Sequence, residues 1–251
     1  MQANKRTFLA RSASALALAL VFGVQAAPGD PVRGGTLAVP IHVGEPATYD
    51  CHATNSPAVM WRVAPHYSTL LRINAERSPE VQGDLARSWT VSKDRLTYRF
   101  SLHPNIKFHD GSALTSQDVK VSFDRMRNPP PGVVSLRQGM LSDITGIEAP
   151  DPQTVVIQLR KPNAAILQLL AMPFGCVYSA KLLASDPSYP GKRVMGTGPF
   201  KFAEFKQNES IKLVRNPDYW KPDRPFLDGI EFTIVNSSST ALLRDRKSTR
   251  L

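Results

Sequence analysis

The sequence of 251 residues predicts a fold of the α/β or mixed α+β class, because strand-like and helix-like segments alternate along it. In residues 96–102, apolar and polar side chains alternate strictly, as they do in a half-buried strand. Residues 115–118 have the pattern of a capping box, and Val119, Phe123 and Met126 then fall on one face of the helix that it opens. The chain is long enough for one large domain or two small ones.

The N-terminal segment has the order of a secretory signal peptide. Residues 1–12 carry three basic side chains and no acid, and residues 13–24 are an unbroken run of small and apolar residues. That run is shorter than the roughly 20 apolar residues that a membrane-spanning helix needs. We therefore expect a signal peptide over residues 1–26, with cleavage after Ala26. The alternative interpretation is an N-terminal core helix.

The other elements are predicted in order along the mature chain. A strand over residues 36–41 is expected to lie near a sheet edge or to end quickly, because Pro40 cannot donate to a strand ladder. Residues 42–57 are predicted to be a loop, and residues 58–73 have helical spacing that Pro65 interrupts. The remaining predictions are strands at 85–91, 96–102, 144–148, 154–159, 176–178 and 229–235, a short helix at 164–172, and a hairpin of 200–205 with 211–215.

The charge pattern argues against a nucleic-acid-binding protein. The formal net charge is +10, and removal of the three basic side chains of residues 1–26 leaves +7 (10 − 3). The remaining basic residues are scattered among acids, whereas a nucleic-acid-binding surface concentrates them in one stripe. No nucleic-acid partner is therefore expected.

The only two cysteines, Cys51 and Cys176, leave two possibilities open. In an oxidising compartment they can form a disulfide. Alternatively, they are buried free thiols in segments that do not meet, since sequence does not show whether their Cα atoms approach within roughly 7 Å. Their separation does not fit a zinc motif.

No catalytic or metal-binding pattern is present in the sequence. It has neither the Gly-x-Ser-x-Gly elbow of a serine hydrolase nor the paired histidines of a zinc enzyme. The five histidines form no i, i+4 pair and no His-x-His clip: His42, His52, His66, His103 and His109. We therefore expect no catalytic residues, no metal and no cofactor.

Two ordered blocks of residues resemble a known family. The first block has Leu-Ala-Arg-Ser-Trp at 85–89, Ile-Lys-Phe-His-Asp-Gly at 106–111 and the helix at 114–125. The second has Gly-Thr-Gly-Pro-Phe at 196–200 and Asp-Tyr-Trp at 218–220. Together they resemble the extracytoplasmic solute-binding proteins of family 5, which include the oligopeptide-, dipeptide- and nickel-binding components of ABC importers. The resemblance runs from residue 34 to about residue 244.

The resemblance implies a two-lobed, type II periplasmic-binding-protein fold. Residues 27–45 and 190–244 would form the discontinuous core of lobe I, and residues 46–189 its extra subdomain. Lobe II would be missing from these 251 residues. Residues 245–251 match one reading frame of a common sequencing adaptor, so we expect a non-native tail there; the alternative is a genuine short basic tail.

The candidate ligand-binding residues lie in two places. The segment 45–56 follows the first strand, where open α/β sheets place their ligands, although an ordinary solvated loop is the alternative. The Gly-Thr-Gly-Pro segment at 196–199 lies near the cleft by resemblance, and its alternative is a tight crossover without ligand contact. The candidates share polar groups or an accessible backbone: Asp50, His52, Thr54, Asn55, Ser56, Gly196 and Thr197.

The resemblance implies a periplasmic binding protein that captures a small solute, with peptide as the leading class, and delivers it to an ABC permease in the inner membrane. It would act as a monomer and would not be an enzyme. The alternative is a secreted hydrolase whose catalytic residues lie partly in a missing C-terminal half.

Overall fold

The computed structural model describes residues 31–41 and 46–235. The predicted signal peptide and the predicted tail at 245–251 therefore lie outside the described residues. In the part of the chain that is described, no helix is both long and apolar enough to cross a membrane. The described residues from Arg33 onward belong to one compact unit.

Ten strands and four α-helices make up the described structure. The strands are β1 Thr36–Ile41, β2 Leu71–Ile73, β3 Val81–Gly83, β4 Ala86–Val91, β5 Thr97–Leu102, β6 Ile144–Asp151, β7 Thr154–Leu159, β8 Phe200–Lys206, β9 Ser210–Arg215 and β10 Gly229–Ile234. The helices are α1 Pro57–Val63, α2 Ser116–Arg127, α3 Ile166–Leu170 and α4 Ala180–Ser185.

One sheet has the strand order β1-β10-β9-β8, with β1 parallel to β10 and the other pairs antiparallel. One face is apolar, because Leu37, Ile230, Leu213 and Phe202 lie opposite one another across the four strands. The two central side chains are buried, whereas the outer two, Leu37 and Phe202, are each 48% exposed. Pro40 lies in the edge strand β1, which confirms that expectation.

The second four-stranded sheet has the order β4-β5-β7-β6 and is antiparallel throughout. Helix α2 packs against β6 and β7 and buries Val119, Phe123 and Met126 in the core of this region. Its capping box is present as predicted: the Thr115 amide donates to Asp118 Oδ2 at 2.7 Å. Strands β2 and β3 form a separate hairpin.

Two local predictions were wrong in part. Helix α1 ends at Val63, and residues 67–70 are irregular before β2 begins, so the helical spacing of 58–73 does not continue beyond Pro65. A proline in a helix interior removes a hydrogen bond and clashes with the preceding turn. Residues 176–178 are buried but form no strand; the Tyr178 amide donates instead to the hydroxyl of Ser122 at 2.8 Å.

The strands of the first sheet come from residues 36–41 and 200–234, and those of the other sheets come from residues 71–159. The division into a discontinuous core and an inserted subdomain stays a prediction, as do the boundaries of the subdomain at 46 and 189.

Candidate functional site

The predicted ligand segment is not a solvated loop in its central part. Residues Cys51–Ala53 form a 3₁₀ turn, and Asp50 caps it by accepting from the amide of His52 at 2.9 Å. The side chains of Asp50 and His52 are buried, at 5% and 0% exposure. Their binding of a ligand stays a prediction, but their polar atoms already have protein partners.

Asp50 is the acceptor at the centre of this buried network. Arg125 on α2 donates to both of its carboxylate oxygens, at 2.5 and 3.2 Å, and the hydroxyl of Tyr178 donates to Oδ1 at 3.0 Å. Burial acts to raise the pKa of Asp50, but the hydrogen bonds and charge of Arg125, with the hydrogen bond from the His52 amide, hold it below the ordinary value. Asp50 and Arg125 therefore form a buried ion pair.

His52 is held in its neutral form. Its Nε2 donates to the carbonyl of Cys176 at 3.0 Å, and its Nδ1 accepts from Arg125 at 3.0 Å. Burial lowers the pKa of His52 to about 4, and the charge of Asp50 only partly offsets this. A neutral imidazole that accepts from a guanidinium and donates to a carbonyl is a fully engaged structural group.

Cys51 and Cys176 are joined by a disulfide in the structure, with their Cα atoms 6.1 Å apart. The bond ties the 3₁₀ turn to the buried segment that precedes α4. It lies beside the ion pair, because the Cys51 amide donates to the same Tyr178 hydroxyl that contacts Asp50. Covalent and polar contacts together therefore hold the 46–56 segment in place.

The last three candidates of this segment are more accessible. Asn55 is exposed, and Thr54 and Ser56 are half-buried. A second buried arginine, Arg137, donates to the side-chain carbonyl of Asn55 and to the backbone carbonyl of Thr54. The guanidinium of Arg137 also lies 4.2 Å from the ring centre of Phe174.

Gly196 and Thr197 lie in a tight crossover, the segment 196–200 that leads into β8. A Cβ atom at Gly196 would lie 2.2 Å from the carbonyl oxygen of His66, so no larger residue fits. Thr197 is fully buried, and its hydroxyl has no hydrogen-bond partner among residues 31–41 and 46–235. The close approach in this segment is to protein backbone, and contact with a ligand stays a prediction.

Two histidines clamp the crossover. His66 Nδ1 donates to the carbonyl of Phe200 at 3.1 Å, and its own carbonyl accepts from the amide of Gly198 at 2.9 Å. His109 Nε2 donates to the carbonyl of Gly198 at 3.1 Å. Burial lowers the pKa of His66 to about 3 and also lowers that of His109. Both rings therefore act as neutral hydrogen-bonding groups.

A cavity of about 590 Å³ opens beside this crossover. That volume lies within the range of roughly 300–1,000 Å³ that is typical of small-molecule sites. Its lining includes the apolar side chains of Phe202, Phe205 and Ile211 from the first sheet, together with residues 191–195. The cavity is lined by the end of β8 and the start of β9. These lie at the same end of the sheet as the end of β1.

The charged side chains around the cavity are mostly cationic. They are Arg62, Lys192, Arg193 and Lys201 against the single carboxylate of Asp110, a balance of +3 (4 − 1). Two of these cations have acidic partners outside the cavity lining: Lys192 with Asp186 at 2.8 Å and Lys201 with Asp218 at 3.9 Å.

No group of three metal-ligating side chains occurs among the described residues. Of the five histidines, His52, His66 and His109 are engaged with protein atoms as described above, and the ring centre of His103 lies 5.0 Å from that of Trp220. His42 lies outside the described residues.

Sequence reasoning missed the residues that organise this region. Arg125 and Arg137 are distant in sequence from the loop that they hold, and the sequence places Tyr178 in a predicted strand that the structure does not contain. The sequence holds one signal of this arrangement. Arg125 lies beside Phe123 and Met126 on a helix, and an arginine is unusual on a buried helix face. The cavity has no signal in the sequence, since its lining combines residues from 49 to 211.

Comparisons with known proteins show which relatives this chain resembles. Residues 80–248 match the model of the bacterial extracellular solute-binding proteins, family 5 Middle. The chain is 38% identical over 162 residues to the glutathione-binding protein GsiB of Pectobacterium atrosepticum, a match that covers 64% of this chain and 31% of the relative.

Solved structures show the same fold. AgaA from A. tumefaciens R10, in complex with agropinic acid, is 31% identical with a TM-score of 0.76, over 83% of this chain and 41% of that one. DppA from Helicobacter pylori, in complex with the peptide STSA, is 28% identical with a TM-score of 0.77, over 87% and 46%. The chain thus spans less than half the length of these relatives and shares the type II periplasmic-binding-protein architecture in that part. It belongs to the family 5 bacterial extracellular solute-binding proteins.

Proposed function

We propose that the protein is the periplasmic solute-binding component of an ABC importer, which captures a small solute of the peptide class and delivers it to a membrane permease. The observation that carries the proposal is the family match over residues 80–248 together with a cavity of small-molecule size beside the sheet edge. The relatives named above are described as binding glutathione, agropinic acid or a peptide. All three solutes carry at least one carboxylate, which agrees with a cationic cavity.

Of the residues predicted to bind the solute, Thr54, Asn55 and Ser56 are the accessible members. We assign Asp50, His52, Gly196 and Thr197 a supporting role, because their burial favours positioning of the site over direct contact. Closure of two lobes over the solute, export through a cleaved signal peptide and action as a monomer are parts of the same proposal. The hydrolase alternative has no supporting observation among the described residues.

The test is a thermal-shift screen of the complete mature protein against short peptides, glutathione, opines and nickel. A binder of the native state raises the midpoint of unfolding in proportion to RT ln(1 + [L]/Kd). We expect at least one solute with a peptide bond to raise it, and Asn55→Ala to weaken that effect modestly while the exposed control Gln117→Ala does not. Cleavage of the peptide during incubation would support the hydrolase instead, and the absence of any stabilising solute would contradict the proposed function.

A further inference from the structure

Arg137 is a buried cation that contacts the accessible part of the predicted ligand segment. The residue is 2% exposed, and its guanidinium donates to the backbone carbonyl of Thr54 at 2.6 Å and to the side-chain oxygen of Asn55. Within the described ranges it has no carboxylate partner, and its Nε has no hydrogen-bond partner. Burial of a cation against neutral oxygens costs stability, and proteins tend to keep such costs where a functional site needs them.

The position of Arg137 is fixed by its surroundings. The amide of the preceding residue, Leu136, donates to the carbonyl of His52 at 3.0 Å. The hydroxyl of Ser135 accepts from the Arg137 amide at 3.2 Å and donates at 2.6 Å to a backbone carbonyl in the last turn of α2. The ring of Phe174 lies against the guanidinium, with 4.2 Å between the ring centre and Cζ. The guanidinium therefore meets the ligand segment from a fixed position.

The contact with Arg137 determines which end of the Asn55 amide is free. An asparagine side chain carries an acceptor oxygen and a donor NH2 group, and rotation by half a turn exchanges them. Because a guanidinium has only donors, it selects the orientation in which the oxygen faces it. The NH2 group then lies on the other branch of the amide, and it has no hydrogen-bond partner in the described part of the chain. Asn55 is exposed, so its free group is a hydrogen-bond donor.

We infer that Arg137 is a positioning residue of the solute site: it orients Asn55 so that the amide NH2 group donates to an acceptor oxygen of the solute, a carbonyl or a carboxylate. The inference rests on the proposed function, in which Asn55 contacts the solute. It adds a chemical requirement at this position, because a solute group without an acceptor would leave the NH2 group unpaired when the site closes.

The first test is Asn55→Asp, which keeps the size of the side chain and its contact with Arg137. The change replaces the free NH2 group by an oxygen that cannot donate. Calorimetry of the complete mature protein with glutathione, trialanine and agropinic acid measures the effect. We expect the affinity for the probes that bind to fall by roughly tenfold or more, because a donor is lost and a negative charge faces the acceptor. The unfolding midpoint of the ligand-free protein should not fall, because the new carboxylate pairs with the buried cation.

The matched control is Asn105→Asp, in the exposed loop after β5, which should leave the affinity unchanged. The second test is a double-mutant cycle. Arg137→Met alone should weaken binding roughly threefold, because only a fraction of the molecules then holds Asn55 in the competent orientation. In the Asn55→Ala background it should have no further effect, because a residue that acts through Asn55 has nothing left to orient. If Arg137→Met does not fold, Asn55→Asp decides alone.

Each other outcome has a defined meaning. Equal effects of Arg137→Met in both backgrounds, or an unchanged affinity in Asn55→Asp, would overturn the inference. If Asn55→Asp lowers the unfolding midpoint of the ligand-free protein and changes no affinity, Asn55 packs against other polypeptide and the inference is wrong. If nickel stabilises the protein and none of the probes binds, the inference fails, because a cation offers no acceptor oxygen, while the proposed function as a binding component stands. If no solute binds at all, both fail.

Discussion

At the residue scale, Arg125 connects three segments that are far apart in the chain. It pairs with Asp50, donates to His52, and donates to the backbone carbonyl of Pro187 at 3.1 Å. Its side chain is 4% exposed, so the ion pair has almost no contact with water. Because both charges are desolvated, each depends on the other for compensation.

Replacing Arg125 by Met should therefore destabilise the protein strongly. The change leaves the Asp50 carboxylate buried without its partner, which costs about 3–5 kcal/mol of the free energy of unfolding. Urea denaturation monitored by circular dichroism measures this cost. The matched control is Arg77→Met, because Arg77 and Glu80 form an exposed pair with side chains 70% and 46% exposed. We expect a change below about 1 kcal/mol there, and equal effects in the two variants would contradict this role of Arg125.

Acidification should weaken the same network. Burial lowers the folded-state pKa of His52 to about 4, from an ordinary value of 6.5. Its contribution to stability is therefore complete above pH 6.5 and is lost as the pH falls toward 4, because the unfolded chain binds the proton more readily. Between pH 7 and pH 4, protonation linked to His52 should lower the free energy of unfolding of the wild type by on the order of 2–3 kcal/mol. We expect this part of the loss to be absent in His52→Gln.

Denaturation curves at several pH values test this expectation. The free energy of unfolding of the variant should still fall with decreasing pH, because His66, whose pKa is about 3, is unchanged in it. His103→Gln serves as the comparison, because His103 is only half-buried and should contribute less. An unchanged slope in His52→Gln would show that His52 is not the titrating group.

At the scale of elements, the crossover at 196–200 joins the two large sheets. Its backbone is bonded on one side to His66 and on the other to His109, and the amide of Asn216 donates to the carbonyl of Pro199 at 2.8 Å. The segment also forms the boundary of the cavity through the neighbouring Met195. The position of the cavity wall therefore depends on how closely the crossover approaches the backbone at residues 65–67.

A single methyl group at the crossover tests this dependence. In Gly196→Ala the new Cβ would meet the His66 carbonyl at 2.2 Å and the Tyr67 ring at 2.5 Å. Because the backbone must shift, we expect the free energy of unfolding to fall by about 1–3 kcal/mol. Gly139→Ala is the matched control, since nothing lies within 4 Å of its Cβ position. Thermal unfolding compares the two, and a similar midpoint in both variants would mean that the crossover adjusts freely.

At the scale of the whole molecule, the disulfide closes a loop of 125 residues that contains nearly all of the predicted subdomain. Such a cross-link restricts the unfolded chain and thereby stabilises the folded one. The free energy of unfolding of the double variant Cys51→Ser/Cys176→Ser should be about 2–4 kcal/mol lower than that of the wild type. Reduction of the wild type should cause a similar loss and should leave the variant unaffected. A wild type that is equally stable with and without reductant would contradict this stabilisation.

Export is the second prediction at this scale. The order of basic, apolar and small residues in 1–26 predicts that the mature protein begins at Ala27. Expression with the native leader in a Gram-negative host, followed by N-terminal sequencing of the periplasmic fraction, measures the cleavage site. Substitution of Leu18 by Arg in the apolar run should keep the product in the cytoplasm, whereas Gln2→Ala should not. An uncleaved cytoplasmic product from the native leader would refute the prediction.

The sequence by itself determined the family and those local elements whose pattern is short-range. The capping box at 115–118, the alternation at 96–102 and the hairpin between Phe200 and Arg215 depend on neighbours within a few residues, so their patterns can be seen directly in the chain. The family follows from two ordered blocks, and the comparisons confirmed it.

Only the tertiary structure decided the environment of the candidate site. Asp50 meets Arg125 across 75 residues and Tyr178 across 128, and such pairings have no local pattern. The sequence predicts that the segment 45–56 offers Asp50 and His52 to a ligand, whereas folding buries both side chains. The cavity likewise forms where residues from 49 to 211 converge, because the walls of a cavity are set by packing between distant segments.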